Sequence, residues 1–170
     1  YKTLFQNQIF PDYYRPDSEI IYVENFENNS VSNSFQFEIG AELGKSIGIK
    51  FGYNYLDVFQ IDEDGNHNQL PFNSTHHILN TISYQPINKN WKIDFNMTWN
   101  GEQKLITSDG QETMSDPYTI QNIQFTQNIS KMELYFGCEN ISNFTQSTPI
   151  VEWEDPNYTD FNTYNIWGPT

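Results

Sequence analysis

The sequence predicts an all-β fold, an antiparallel up-and-down transmembrane β-barrel of which this chain supplies a segment of about seven strands. Three observations support this class: apolar and polar residues alternate in several stretches, aromatic residues end the clearest stretch, and the connections are alternately short and long. A β-sandwich has no reason to sort its loops by length. Outer-membrane barrels do so, with short turns at one end and long loops at the other.

Residues 91–99 show the alternation most clearly, because every odd position is large and apolar and every even position is polar or charged. Successive side chains of a strand point to opposite faces, so this stretch has one apolar and one polar face. Its terminal residues, Trp91 and Trp99, would lie roughly 26 Å apart along a strand. A tilt of about 40° reduces this to roughly 20 Å across a membrane, which fits an apolar band between two aromatic girdles. For this stretch alone, a sandwich strand with one buried face is the alternative.

The same reasoning extends along the chain. Strands are predicted at residues 1–10, 31–43, 47–55, 74–85, 91–99, 118–129 and 132–140, with a change of phase in the sixth near Asn122. Short turns are predicted at residues 44–46, 86–90 and 129–131, and long loops at 11–19, 60–73, 102–117 and 143–170. No apolar run approaches the length of a transmembrane helix.

The alternation assigns side chains to two faces of the predicted barrel. The predicted lipid-facing residues are Phe35, Phe37, Ile39, Ile49, Phe51, Tyr53, Trp91, Ile93, Phe95, Met97, Trp99, Leu134 and Phe136. The predicted lumen-facing residues are Gln36, Glu38, Glu42, Lys50, Asn54, Lys92, Asp94, Asn96, Glu133, Tyr135 and Glu139, with the lysines expected opposite acids.

Composition excludes several classes of function. The chain has 22 acidic against 8 basic residues and a net charge of −14, which argues against a nucleic-acid partner because phosphates require a basic surface. The single Cys138 gives no disulfide framework within the chain and no metal cluster, and its alternation fits a small apolar residue facing lipid. No Ser/His/Asp arrangement and no pocket carboxylate pair is evident, so no enzyme, catalytic residue or cofactor is predicted.

Two short patterns are weaker indications of metal binding. Asp62, Asp64, Gly65 and Asn66 match part of a calcium loop, but the glycine lies too early and the terminal glutamate is missing. His76 and His77 are adjacent, so in a strand they point to opposite faces and cannot chelate one ion together. A solvated acidic turn is the favoured interpretation, and no metal site is predicted.

The last third of the chain resembles the end of a TonB-dependent outer-membrane receptor. Residues 137–143 match the family's G-x-E-N-(L/I)-x-N segment, followed by Pro149-Ile150, Phe161-Asn162 and a W-G-P sequence at residues 167–169. Earlier, residues 53–57 resemble the Y-x-Y-L-D end of a strand, and residues 73–77 the start of the next one. The Asn-rich, aromatic character is similar to receptors of Bacteroidota.

This resemblance implies that residues 1–170 form the C-terminal part of a receptor β-barrel domain in the bacterial outer membrane. The family imports scarce nutrients, such as siderophores, cobalamin or other metal chelates, with energy from TonB. The expected partners are outer-membrane lipid, the nutrient ligand, TonB acting through an N-terminal plug, and a surface lipoprotein. The plug and the last barrel strand are expected to be absent from this chain, and open sheet edges are not tolerated in lipid.

Ligand contacts are expected from aromatic side chains of the long outer loops, because they suit large rigid ligands. The candidates are Tyr13, Tyr14, Tyr118, Trp153, Tyr158, Phe161, Tyr164 and Trp167. Each of them could instead pack the loops together. Two alternatives to the siderophore-type importer remain: a glycan importer of the same general family with a lipoprotein lid, and a soluble β-sandwich binding module.

Overall fold

The structure, a computed structural model, describes residues 1–6, 8–11, 23–26, 28–106 and 111–146. It confirms the all-β, antiparallel fold. The strands are β1 Lys2–Phe5, β2 Gln8–Pro11, β3 Val23–Phe26, β4 Ser30–Leu43, β5 Ile47–Ile61, β6 His67–Gln69, β7 His76–Tyr84, β8 Trp91–Asn100, β9 Lys104–Ile106, β10 Glu112–Met114, β11 Tyr118–Ile129 and β12 Met132–Cys138.

One antiparallel sheet organises the described part of the chain. Its strands follow the order β1-β4-β5-β7-β8-β11-β12, with β6 paired to β5. The short pairs β2–β3 and β9–β10 form separate two-stranded ribbons. Neighbours in the sheet therefore follow one another along the chain apart from the short inserted strands, which is the up-and-down arrangement that the sequence predicts.

Three tight turns join the long strands at one end of the sheet, connecting β4 to β5, β7 to β8 and β11 to β12. We call the strand ends at these turns the short-turn edge, and the opposite strand ends the long-loop edge. Each turn contains a residue in the left-handed backbone region: Gly44 (φ 66°), Asn88 (φ 58°) and Ser130 (φ 56°). Tight hairpins need such residues because their backbone must match the twist of the flanking strands. The long connections lie at the opposite edge.

Strand register gives the sheet one predominantly apolar face. Phe95 pairs with Ile82 on one side and Ile123 on the other, and residues paired across strands share a face. All thirteen predicted lipid-facing residues lie on this one face by register. Their contact with lipid stays a prediction, because the register fixes only the face.

No residue of that set is buried in the isolated chain. Phe35, Phe37, Ile39, Leu134 and Phe136 are exposed, and the other eight are half-buried. A soluble sandwich would bury such a face under a second layer. In the described residues the polar face is uncovered as well, since Tyr135 is 69% exposed, so exposure alone does not identify the face that meets lipid.

Polar residues interrupt the apolar face in several rows, including the one that contains Met97. Asn80 and Gln121 flank Met97 on either side, and both side chains are half-buried. The row next to it, which contains Phe95, is apolar across β7, β8 and β11. The apolar band is therefore most uniform midway between Trp91 and Trp99.

Two expectations about individual strands are wrong. Residues 1–10 do not form one strand, because β1 pairs with β4 while β2 pairs with β3 in a separate ribbon. The predicted slip of phase near Asn122 is also absent: β11 pairs with β8 residue by residue from Tyr118 to Gln127. The irregular side-chain pattern of β11 arises from its composition, because Ile120 lies on the polar face. It does not arise from a β-bulge.

Buried apolar residues concentrate at the long-loop edge of the described chain. They are Val31, Phe59, Leu105 and Ile106, and Ile106 is completely inaccessible to solvent. Val31 and Phe59 are cross-strand partners near the ends of β4 and β5. In the described ranges, no helix is long and apolar enough to cross a bilayer.

Candidate functional site

Aromatic residues cluster at both ends of the apolar face. At the short-turn end, Trp91 lies between Tyr84 and Phe125, with ring centroids 5.8 and 5.9 Å away. At the long-loop end, the Tyr53 hydroxyl and His76 Nδ1 share a 2.8 Å hydrogen bond, and the Tyr55 ring lies 5.5 Å from the His76 ring. Aromatic side chains with a polar group favour the boundary between hydrocarbon and water, so this arrangement fits two interfacial girdles.

The polar face carries hydrogen bonds between neighbouring strands. The Thr81 hydroxyl donates to Asn96 Oδ1 at 2.9 Å, and the Ser83 hydroxyl donates to Asp94 Oδ1 at 2.7 Å. Lys92 forms an ion pair of 3.0 Å with Asp94, two residues along its own strand. Such a face is suited to contact with water or with a polar partner.

The expectation that lysines lie opposite acids on this face is wrong. The cross-strand partners of Lys50 are Gly40 and Thr81, and Lys92 is opposite Thr126 on β11. The predicted lumen-facing residues that lie in strands do share one face by register. Glu139 is the exception, because β12 ends at the preceding residue.

A depression of about 320 Å³ lies on the polar face near the short turns. Glycine at position 48 helps to open it, because that position carries no side chain between Glu42 and Ser83, its partners in register. Its charged lining residues are Glu42, Lys45, Lys92 and Asp94. The depression is therefore polar and of mixed charge.

At the long-loop edge, the loop between β5 and β7 packs against the loop between β8 and β11 through Ser74. Its hydroxyl donates to the Gly101 carbonyl at 2.9 Å, and Ser74 forms an isolated bridge with Gln103. The Gln103 N–H in turn donates to Ser115 Oγ at 3.1 Å. We refer to Ser74, residues 101–106 and Ser115 as the loop-end cluster.

Lys104 is the charged centre of the loop-end cluster. Its side chain is only 8% exposed, and its ammonium forms an ion pair with the carboxylate of Glu112 on the neighbouring ribbon strand. The ammonium also donates to the Gln69 carbonyl at 3.3 Å, while the Lys104 carbonyl accepts from the Phe72 N–H at 2.8 Å. A buried lysine with partners in both loops fixes their relative position.

The acidic segment at residues 62–66 is a tight turn. Asp62 accepts hydrogen bonds from the Asn66 N–H at 2.8 Å and from the Asn66 side-chain amide at 2.9 Å, and Gly65 has φ 83°. The Asn66 donors hold the pKa of the Asp62 carboxyl below its ordinary value. The Asp62 carboxylate thus stabilises the turn through these hydrogen bonds, as expected for a solvated acidic turn.

The turn at Asp62 should weaken in acid. A lowered folded pKa means that the stabilisation is present above about pH 4, the value for an unfolded aspartate, and is lost as the pH falls through the lowered pKa. Selective ¹⁵N-Asn NMR of the Asn66 N–H should show a titration with a midpoint below about 4. The Asp62→Asn variant should show no such titration, and an identical titration in that variant would exclude Asp62 as the responsible group.

The motif after β12 is a turn anchored by Asn140. Asn140 has φ 48°, and its N–H donates to Asn122 Oδ1 at 2.8 Å. Its side chain accepts from the Phe144 N–H at 2.9 Å and donates to the Phe144 carbonyl at 2.8 Å. Asparagine suits this position because it tolerates the left-handed region and bonds to its own backbone neighbours.

We expect Asn140→Ala to destabilise this turn by about 1–3 kcal/mol, through lost hydrogen bonds and left-handed strain. Asn140→Gly removes only the bonds, and Asn143→Ala, at φ 50°, tests only the strain. Hydrogen exchange at the Phe144 N–H measures the effect. Equal exchange rates in Asn140→Gly and wild type would contradict the anchoring role.

Tyr118 is the only predicted ligand contact that lies within the described residues. It begins β11, is half-buried, and its ring stacks on Phe144 with centroids 5.5 Å apart. The other seven predicted contacts lie outside the described residues: Tyr13, Tyr14, Trp153, Tyr158, Phe161, Tyr164 and Trp167. Their role in binding stays a prediction.

The histidines have partners within the sheet and loops. His77 Nδ1 lies 2.8 Å from Asn100 Oδ1, and its Nε2 lies 3.0 Å from the Ser74 carbonyl oxygen. The His67 ring stacks on Phe59 with centroids 4.3 Å apart. In the described part of the chain, no group of three or more His, Cys, Asp or Glu side chains could hold a metal ion.

The loop-end cluster was missed by sequence reasoning, which treated residues 102–117 as a polar loop. The available signal was the apolar pair Leu105-Ile106 within an otherwise polar segment. Such a pair in a loop indicates local packing. The residues just before it, Gln103 and Lys104, pair with Ser74 and Phe72, which come from another loop about 30 residues away. No local pattern reveals that distance.

Comparisons with known proteins support the fold. No protein-family model matches the chain, and no curated protein matches it. Among solved structures, the chain is similar to P. aeruginosa FpvA in an iron complex with a heterologous pyoverdine, at 13% identity and a TM-score of 0.61, covering 88% of this chain and 21% of that one. It is also similar to FpvAI in complex with pyocin S2, at 12% identity and a TM-score of 0.57, covering 83% and 20%.

The chain therefore spans about a fifth of the length of these two structures. At such low identity the likeness shows the fold and does not by itself assign an activity. The sheet, its up-and-down order and its antiparallel pairing match a section of the β-barrel fold of these two structures. The described chain has the fold of a section of such a barrel.

Proposed function

We propose that the chain is a wall segment of an outer-membrane transporter that imports a scarce nutrient with energy supplied through TonB. The observation that carries the proposal is the sheet itself: one apolar face bounded by aromatic clusters, one polar face, and short and long connections at opposite edges. These features fit a strand wall between lipid and an aqueous lumen. The barrel fold shared with FpvA supports the same kind of protein.

The ligand class that we favour is an iron–siderophore complex, with cobalamin and other metal chelates in the same group. Support comes from FpvA, whose structure contains an iron–pyoverdine complex. The long loops would face outward and contact the ligand, with Tyr118 as the first candidate among the described residues. TonB would act through a plug elsewhere in the full-length protein. From the Asn-rich, aromatic sequence we also propose that the transporter is of the kind found in Bacteroidota.

Uptake by intact cells tests this function. Cells that express the full-length protein should accumulate ⁵⁵Fe from iron-loaded siderophores, and the uptake should be lost when TonB is inactivated. Tyr118→Ala should reduce uptake more than Tyr118→Phe, because phenylalanine keeps the stacking on Phe144. Uptake of labelled oligosaccharide instead of iron would replace the proposed ligand with a glycan. Uptake that does not depend on TonB would contradict the proposal.

A further inference from the structure

Lysines occupy the short-turn edge of the sheet in a regular way. Each of the three short turns contains one lysine: Lys45, Lys89 and Lys131. All three side chains are exposed. The turn residues 44–46, 85–90 and 130–131 contain no aspartate or glutamate. This edge therefore carries three positive charges on a chain whose net charge is −14.

These three charges have no ion-pair partner among the described residues. The lysines that do form ion pairs lie elsewhere: Lys92 with Asp94 on the polar face, and Lys104 in the loop-end cluster. The acids nearest in sequence to the turns are Glu42 and Glu133, which the register places on the polar face. Lys45 shares the polar-face depression with Glu42, without an ion pair between them. The turn lysines are thus available to an external anion.

Exposed apolar side chains flank the three short turns or lie within them. The exposed apolar residues that flank the short turns or lie within them are Leu43, Ile47, Tyr84, Ile87, Ile129 and Met132. A lysine at the end of an apolar band extends its hydrocarbon stem along that band and places its ammonium in the polar layer beyond it. If the apolar face meets lipid, this layer is the headgroup region.

The described residues of the loops after β5 and β8 are predominantly acidic. The long loop after β5 contains Asp62, Glu63 and Asp64, and the loop after β8 contains Glu102 and Asp116. Within the described residues of these two loops, the basic side chain is Lys104, which is paired with Glu112. Among the described residues of the short turns and of these two loops, the lysines without an ion-pair partner are therefore those of the short turns.

We propose that Lys45, Lys89 and Lys131 form a basic rim that binds the phosphate groups of anionic phospholipids, with phosphatidylglycerol as the class, in the leaflet on the short-turn side. This inference rests on the proposed membrane-spanning function. An ammonium attracts any phospholipid phosphate, but a zwitterionic headgroup offers a compensating positive charge and phosphatidylglycerol does not. The preference should weaken in high salt, because the Debye length falls from about 10 Å at 0.1 M to about 3 Å at 1 M.

Photoactivatable lipids test the basic rim in the full-length protein. In bilayers, phosphatidylglycerol with a diazirine near its headgroup should label peptides containing the three short turns about twofold or more over the matching phosphatidylcholine probe. In the triple variant K45Q/K89Q/K131Q this ratio should fall to about one. The variant K45R/K89R/K131R should keep the preference. The variant K2Q/K50Q, which removes two exposed lysines that lie in strands outside the turns, should also keep it.

A second probe separates failure of the rim from failure of the proposed function. A lipid with its diazirine deep in the acyl chain should label the apolar face, including Phe95. Labelling of that face without a phosphatidylglycerol preference at the turns would overturn the basic rim alone. A preference retained in K45Q/K89Q/K131Q would also overturn it. Absence of acyl-chain labelling would contradict the proposed membrane-spanning function and would therefore overturn the basic rim as well.

Discussion

Replacing Phe95 by arginine should lower the free energy of unfolding in a bilayer by about 2–4 kcal/mol, the range for arginine at the middle of a lipid-facing strand. Phe95 lies midway between Trp91 and Trp99 and is flanked by Ile82 and Ile123, so an arginine there has no polar partner. Met97 is a less suitable site, because the Asn80 and Gln121 amides beside it offer hydrogen-bond acceptors. Denaturant titration of the vesicle-embedded protein measures the difference.

Asn96→Arg is the matched control for Phe95→Arg, one residue along β8 on the polar face. It removes a hydrogen bond with Thr81 and should cost about 1 kcal/mol. Thinner bilayers should reduce the Phe95→Arg penalty, because the interface comes nearer to the arginine, and should leave Asn96→Arg unchanged. Equal responses of the two variants to bilayer thickness would show that the faces are assigned wrongly.

Ile106→Ala should have the second large effect, a loss of about 2–4 kcal/mol from the stability of the loop-end cluster. Ile106 is completely buried, so its truncation leaves a cavity as well as losing apolar contact. The loss should be local and should speed hydrogen exchange at the Phe72, Gln103 and Ser115 N–H groups, each of which donates to a residue of the cluster.

Ile87→Ala provides the comparison for Ile106→Ala, since Ile87 is 58% exposed in a short turn. It should leave exchange at the loop-end cluster at the wild-type rate. Unchanged exchange in Ile106→Ala would mean that the two long loops are held together by other contacts, such as the Lys104 ion pair. Lys104→Met would then be the next variant to measure.

The sequence predicts the strands best where both faces are chemically uniform. Strand β8 was predicted at residues 91–99 and is observed at Trp91–Asn100, because its alternation is unbroken. Strand β5 was predicted to end at residue 55 but continues to Ile61. In residues 56–61 the alternation of apolar and polar side chains is lost, because this part of the strand extends beyond the apolar face. Its backbone pairing with β4 and β6 nevertheless continues.

Contacts between distant segments were not predictable from local patterns. The pairing of β1 with β4 brings Leu4 opposite Val31, although alternation within residues 1–10 gave no sign of it. The Asn140 motif was recognised by resemblance, but its role as a turn anchor depends on Asn122, a residue of the neighbouring strand. Side-chain periodicity identifies faces, whereas these contacts depend on register between strands and on the course of the loops.

The most direct test of the account is accessibility scanning along β8 in the full-length protein within bilayers. Single cysteines at positions 92–98, in a Cys138→Ser background, would carry spin labels, and collisions with oxygen and with a nickel chelate would be measured. Labels at positions 93, 95 and 97 should be accessible to oxygen and shielded from nickel, and labels at 94 and 96 should be less accessible to oxygen. Absence of this alternation, or shielding of the odd positions from both reagents, would contradict a lipid-facing apolar face.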